Sequence, residues 1–340
     1  MKNLNIKDIA KLAGVGVSTV SRVINQHTDV KDETRKHVQE IIETYNYIPN
    51  NSARNLKRNE SMDVGILIKG MYNPFFARMI QSIEKRLSSA GYSAIIHYNI
   101  EGNKDIDAAN EFILEKKLKG VICLGGDFDK LTDQEIQRLG VPFILASTEI
   151  PENLNRSLFS SVIIDNEMAA YRAVKYLSDM GHNKIALITT GNEDKSIGTI
   201  RTQGYLRALS EQNIEKKENY FEVGAYTFET GYEAMCRLLE KANDITAVFA
   251  ISDVMAIGAA KAMYEKGIKI PDDISLIGFD DIDYAEFFNP PLTTVHQPVE
   301  EIAESTADIM IGILDDNLKH QHIIFDTEIV IRNSCKQMNC

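Results

Sequence analysis

Ser18, Thr19, Ser21, Arg22 and Asn25 lie together in the run Val17-Ser-Thr-Val-Ser-Arg-Val-Ile-Asn25. They offer short hydroxyl and amide donors and one forked cation. Such groups reach phosphate oxygens and the base edges of double-stranded DNA, and the Arg fork suits guanine in particular. Val20, Val23 and Ile24 recur between them at helical spacing, which leaves the polar residues on one exposed face. Upstream, Ile6, Ile9, Ala10, Leu12 and Ala13 form a second stripe, and Gly14 separates the two. Two short amphipathic helices joined by a tight turn containing Gly make the helix-turn-helix pattern. An ordinary αα-hairpin has the same periodicity. The small Ala10 and Ala13 at the crossing, and a Gly able to turn left-handed, favour the DNA-reading form.

The elements that would hold this reader follow directly. Lys31 to Tyr45 carries apolar Val38, Ile41, Ile42 and Tyr45, a third helix with Asp32 and Glu33 in its first turn, where the helix dipole favours them. Pro49 ends the unit. Residues 50–59 are polar and basic. They read either as a plain linker or as a short helix that folds only on DNA, with Arg54, Lys57 and Arg58 at phosphates and Leu56 as a wedge in the minor groove.

Charge agrees with a DNA-binding end. The 340-residue chain has a net charge of −12, yet residues 1–60 hold ten Lys/Arg against seven Asp/Glu, and the remaining 280 hold 27 against 42. A mildly basic head on an acidic body confines attraction for DNA to one end. The four cysteines have no metal-ligand or redox spacing and are expected to be free thiols. There is no signal-peptide stretch and no run long enough to span a membrane, so a cytoplasmic protein is expected. Nucleophile elbow, Walker loop, dinucleotide fingerprint and HExxH are all missing, and the seven His form no cluster; His320 and His322 read as a solvated pair. Neither enzymatic activity nor a metal or cofactor is expected.

From Met62 the rhythm becomes strand and helix in alternation. Apolar runs at 64–68, 93–97, 120–124, 141–146, 184–189, 220–223, 247–251 and 274–279 are separated by helical patterns. This predicts βαβ units with parallel sheets and helices on both faces. The number of units exceeds one compact sheet, so two similar α/β halves are expected, divided near residue 160.

These residues closely resemble the LacI/GalR family of bacterial transcription regulators over nearly the whole chain. The resemblance is carried by Ala13-Gly-Val15 and Thr19-Val-Ser-Arg-Val23 in the head and by Tyr47-Ile-Pro49, Ala53 and Leu56 in the hinge. In the body it rests on Asn73-Pro-Phe-Phe76, Arg201-Thr-Gln-Gly-Tyr205, Ser252-Asp-Val-Met-Ala256, Gly278-Phe-Asp-Asp281 and Pro291-Leu-Thr-Thr294. It implies a helix-turn-helix domain (1–48), a hinge helix (49–60) and a two-lobed, periplasmic-binding-protein-like core (61–340). Lobe 1 would take 61–161 and 295–321, and lobe 2 162–293 and 323–334, with crossings near 162, 293 and 322. It also implies a homodimer on a palindromic operator. Val17, Ser18 and Arg22 would read bases, Thr19, Ser21 and Asn25 would meet phosphates, and Ala53 would let two hinge helices approach while Leu56 wedges. One departure is Gly16, where the family usually has Ser; Gly is a slightly weaker N-cap.

The resemblance also implies a small effector, a sugar or sugar derivative, between the lobes, contacted by Asn73, Phe76, Ser147, Arg201, Tyr226, Ser252, Asp253 and Asp280. Arg201 and Asp280 suit vicinal hydroxyls, and Phe76 and Tyr226 offer flat apolar faces. Asp280 and Asp281 equally fit a cap on a turn, and Phe75 and Phe76 equally fit the core. Two rival readings share the fold. A solute-binding protein would need a signal peptide and no DNA-binding head. A catabolite-control regulator would take a phosphorylated carrier protein as corepressor on residues 295–317, but Phe287-Phe-Asn-Pro-Pro291 lacks a cation for a phosphoserine.

Overall fold

Helix α1 (Ile6–Leu12) starts at Asn5 through a reciprocal cap. Asn5 Oδ1 accepts from the Lys7 and Asp8 amides at 2.9 and 3.3 Å, and Asp8 Oδ2 accepts from the Asn5 amide at 2.9 Å. The structure, a computed structural model, describes residues 4–24, 29–45, 47, 62–70, 73–99, 104–191, 197–316 and 318–338. The chain divides into two compact units, Met1–Ser61 and Met62–Cys340.

In the smaller unit, α1 ends at Gly14, whose φ of +62° is the left-handed turn expected there. The Val15 amide then donates to Ala10 O and the Gly14 amide to Lys11 O, which satisfies the last carbonyls of the helix. Helix α2 (Val17–Ile24) begins with Gly16 O accepting from the Thr19 and Val20 amides, with no side chain at position 16 to assist. Helix α3 (Asp32–Thr44) closes the unit. Its core is Ile9, Ala10, Ala13, Val20, Val23, Val30 and Val38, so both stripes read from the sequence point inward except at Leu12, which is exposed. The hinge, 49–60, lies outside the described residues.

Among the described residues the larger unit holds two six-stranded sheets. The first runs β11 (His322–Phe325), β5 (Ser160–Ile164), β4 (Phe143–Ala146), β3 (Gly120–Leu124), β1 (Asp63–Lys69), β2 (Ser93–Asn99), parallel throughout. The second runs β12 (Glu328–Val330), β10 (Thr293–His296), β9 (Ser275–Asp280), β8 (Ala247–Ala250), β6 (Ile185–Thr190), β7 (Phe221–Gly224), parallel except for the edge pair β10–β12. In the first sheet, Ile66, Ile68, Ile122 and Leu124 face one layer, which includes helices α4 (Pro74–Ser89) and α12 (Val299–Asp316). Leu67, Val121 and Cys123 face the other, with α5 (Asp105–Lys116) and α6 (Asp133–Leu139). Strands buried on both faces explain the near-continuous apolar runs. Around the second sheet, α7 (Asn166–Asp179) packs on α8 (Ile197–Glu211), and α9 (Phe228–Lys241) on α10 (Asp253–Glu265); a short α11 (Asp283–Phe287) follows β9.

The chain passes between sheets after Ile164, after His296 and after Phe325, each later than the positions expected near 162, 293 and 322. The reason is that β5, β10 and β11 each complete their pairing in the sheet just built before the chain leaves it. Val295 and His296 therefore belong to the second sheet, not to lobe 1, and 162–164 to the first. Among the described residues no helix is long and apolar enough to cross a membrane.

Candidate functional site

The carboxyl ends of the two sheets face a common cleft of about 320 Å³, where the strand order of an open parallel sheet leaves a crevice for ligands. Lys69 ends β1, Gly125 and Gly126 follow β3, and Ser147 follows β4. From the second sheet come Asp280 at the end of β9, Tyr226 after β7, and Gln297 after β10; α8 contributes Arg201. Asn73 opens α4, its Oδ1 accepting from the Phe75 amide at 3.1 Å.

Arg201 is only 3% exposed, and its Nε and Nη1 groups donate to fixed partners. Nε donates to Asn166 Oδ1 at 3.0 Å, and Nη1 to Ile251 O at 2.6 Å and Asp280 Oδ1 at 3.4 Å. The guanidinium lies 3.5 Å over the Phe279 ring, a contact that orients the fork as well as stabilising it. Asp280 also accepts from Gln297 Nε2 at 2.7 Å. Burial nevertheless pushes its carboxyl up to about 6, opposed by Arg201 and Gln297. On the first-lobe side, Lys69 Nζ is 3.2 Å from the buried Asp105, which also accepts from Asn99 Nδ2 and from the Asp127 amide. Phe76 and Tyr226, both half-buried, supply apolar wall.

Backbone strain gathers here. Ser147, Tyr226 and Asp280 have φ of +52°, +49° and +112°, and Gly126 has +110°. A Cβ on Gly126 would come within 2.8 Å of the Phe128 ring and 3.2 Å of Asp105 Oδ2. Unusual φ held by surrounding structure is a recurring feature of ligand sites.

Of the eight residues expected around an effector, the cleft brings together Asn73, Phe76, Ser147, Arg201, Tyr226 and Asp280. Ser252 and Asp253 do not line it. Both are fully buried. Ser252 Oγ caps α10 by accepting from the Met255 amide. Asp253 accepts from Thr294 Oγ1 at 2.6 Å and the Ile282 amide at 2.9 Å, tying the loop after β9 to β10. Desolvation, with Asp280 next to it, holds the Asp253 carboxyl well above the usual range. Phe75 is a core residue that also touches the cleft. Lys69, Asp127, Thr227 and Gln297 were missed. Lys69 had a signal, being the first polar residue after the apolar run 64–68. Gln297 had none, because the short β10 shows no periodicity.

On α2, Val17, Ser18 and Arg22 are exposed, whereas Thr19 and Ser21 are half-buried. Arg22 Nη1 lies 3.2 Å from Asp29 Oδ2. Asn25, Ala53 and Leu56 lie outside the described residues.

Residues 5–50 match the model for bacterial regulatory proteins of the lacI family, and 174–335 match a periplasmic binding protein-like domain. The HTH-type transcriptional regulator MalR of Clostridium butyricum is 43% identical over 333 residues, covering 98% of this chain and 99% of that one. Among solved structures, a transcriptional regulator CelR–cellobiose complex is 29% identical, with a TM-score of 0.71 over 97% of this chain and 99% of that one. The lac repressor dimer bound to operator and an anti-inducer has a TM-score of 0.77 over 98% and 100%, at 24% identity, and so shares the fold. A helix-turn-helix unit followed by two parallel-sheet lobes around a cleft, with MalR alike from end to end, places the chain in the lacI family as a DNA-binding transcriptional regulator.

Proposed function

We propose that the protein is a repressor of carbohydrate-related genes whose cleft takes a neutral sugar, and that ligand binding changes its affinity for a palindromic operator held by a homodimer. The observation that carries this reading is the Arg201–Asp280 pair in a cleft that Phe76 and Tyr226 also line. A fixed forked donor beside a charged acceptor suits vicinal hydroxyls, and the rings suit the apolar face of a pyranose. Neutrality follows from the partners. Arg201 is engaged by Asp280 in a buried pair, and the more exposed Lys69 is engaged by Asp105, so a phosphorylated sugar would have to compete with a carboxylate for either cation. The likeness to MalR and to the CelR–cellobiose complex supports a saccharide.

The lobes also meet through side chains. Arg78 on α4 pairs with Glu300 on α12 and reaches Asp283 on α11 at 3.3 Å. A ligand that favours one lobe arrangement shifts that equilibrium by its differential affinity and no more. In this reading Val17, Ser18 and Arg22 read bases, Thr19, Ser21 and Asn25 hold phosphates, and Leu56, supported by Ala53, wedges the operator centre. A phosphorylated carrier protein has less support. Helix α12 bears Glu300, Glu301, Glu304, Asp308, Asp315 and Asp316 without a cation, and the facing Arg78 and Arg86 are engaged by Glu300 and Asp308.

A thermal-shift series against neutral disaccharides, their phosphates and nucleosides tests the ligand class, because binding to the folded state alone raises the melting temperature by mass action. A rise with a neutral saccharide is the expected result. A rise with only the phosphates or only nucleosides would refute the assignment.

A further inference from the structure

We infer that Asp29 is a positioning residue for Arg22 and thereby sets how strictly the head discriminates the base pair that Arg22 reads. The inference rests on the proposal that α2 lies in the major groove. The two side chains are both more than half exposed, at 58% and 55%, yet stand 3.2 Å apart. They belong to different elements, Arg22 to the last turn of α2 and Asp29 to the segment ahead of α3.

The carboxylate has a fixed base. The next residue, Val30, belongs to the core of the head, and its carbonyl accepts from Arg35 Nη2 at 3.4 Å. A free Arg side chain samples many rotamers and loses that freedom on meeting a guanine. Engaging Nη1 with Asp29 restricts it beforehand and leaves the Nε/Nη2 edge for a partner. The remaining donors suit guanine O6 and N7.

Asp29 has a second effect of the same sign. A carboxylate beside the reading cation repels phosphate, so Arg22 is kept from settling on the backbone of arbitrary DNA. Non-specific affinity falls, while a correctly placed guanine restores the donors' full use. Ion pairing of this exposure has little value for stability, which separates the proposed role from a structural one.

The experiment is selection from a randomised duplex pool by the full-length chain, comparing wild type with Asp29→Asn, Asp29→Glu and Arg22→Ala. Titrations of each against the selected duplex and a scrambled one follow, over a range of salt. Arg22→Ala is expected to erase the preference at one G·C pair in each half-site. Asp29→Asn should relax that same pair and no other, lower the specific-to-scrambled affinity ratio about threefold per half-site, and tighten scrambled binding with a steeper salt dependence. Asp29→Glu should restore the preference, and all four proteins should melt alike. An unchanged motif for Asp29→Asn, or relaxation at a different position, would overturn the inference while leaving the Arg22 reading intact. An unchanged motif for Arg22→Ala would remove the reading itself, and the inference with it.

Discussion

Replacing Arg201 with Ala should destabilise the core by an amount that depends on pH in a calculable way. The change orphans two buried acceptors, Asn166 Oδ1 and Ile251 O, at about 1 kcal/mol each, and loses the contact with the Phe279 ring, about another 1 kcal/mol. The remaining part is electrostatic and falls on Asp280. With Arg201 present that carboxyl sits at about 6, so at pH 7 its ionised form is favoured by about one unit, or ~1.4 kcal/mol. Without Arg201 it takes up a proton, which caps the electrostatic cost at that same ~1.4 kcal/mol. The folded pKa is raised above the unfolded value, so this group's contribution to stability is complete at low pH and is lost as pH rises through 6. At pH 5 Asp280 is protonated in both proteins and the electrostatic part disappears. Urea unfolding of the two proteins should therefore give a difference of roughly 4–5 kcal/mol at pH 7 and about 1.4 kcal/mol less at pH 5. In an Asp280→Asn background the cost of Arg201→Ala should be equal at the two pH values. Equal costs at pH 5 and pH 7 in the wild-type background would refute the assignment of Asp280 as the group Arg201 compensates.

Two further outcomes are expected. Gly126→Ala should cost about 2 kcal/mol in unfolding titrations, because φ of +110° and the 2.8 Å approach to Phe128 both resist a Cβ, and it should weaken saccharide binding measured by calorimetry. Leu56→Ala should weaken operator binding in an anisotropy titration by about 1–2 kcal/mol per half-site and leave saccharide affinity unchanged; undiminished operator affinity would remove the wedge.

The head was legible because Ile9, Ala10, Ala13, Val20 and Val23 keep a strict helical spacing on either side of one Gly. Each of those positions serves burial alone. The cleft was legible at the level of its place, since parallel strands end on one side and ligands gather there. Individual residues were harder. Ser252 and Asp253 carry polar groups at a helix start facing the cleft end of the sheet, but local capping and the pull of Thr294 and the Ile282 amide turn them inward. Gln297 and the exact ends of the second and third crossings were hidden because β10 and β11 have four residues each, too few for a period to register. Asp280 takes a φ of +112° at the end of β9, and an Asp in sequence carries no mark of it.

The central claim is that a ligand in the cleft controls DNA binding by the head. Its most direct measurement is the operator affinity of the full-length protein, by anisotropy on a duplex recovered by selection, with and without a saccharide shown by calorimetry to bind. Saturating saccharide should change the dissociation constant by at least about fivefold in wild type, and the change should vanish in Asp280→Asn. A saccharide that saturates the cleft and leaves operator affinity untouched would contradict the account.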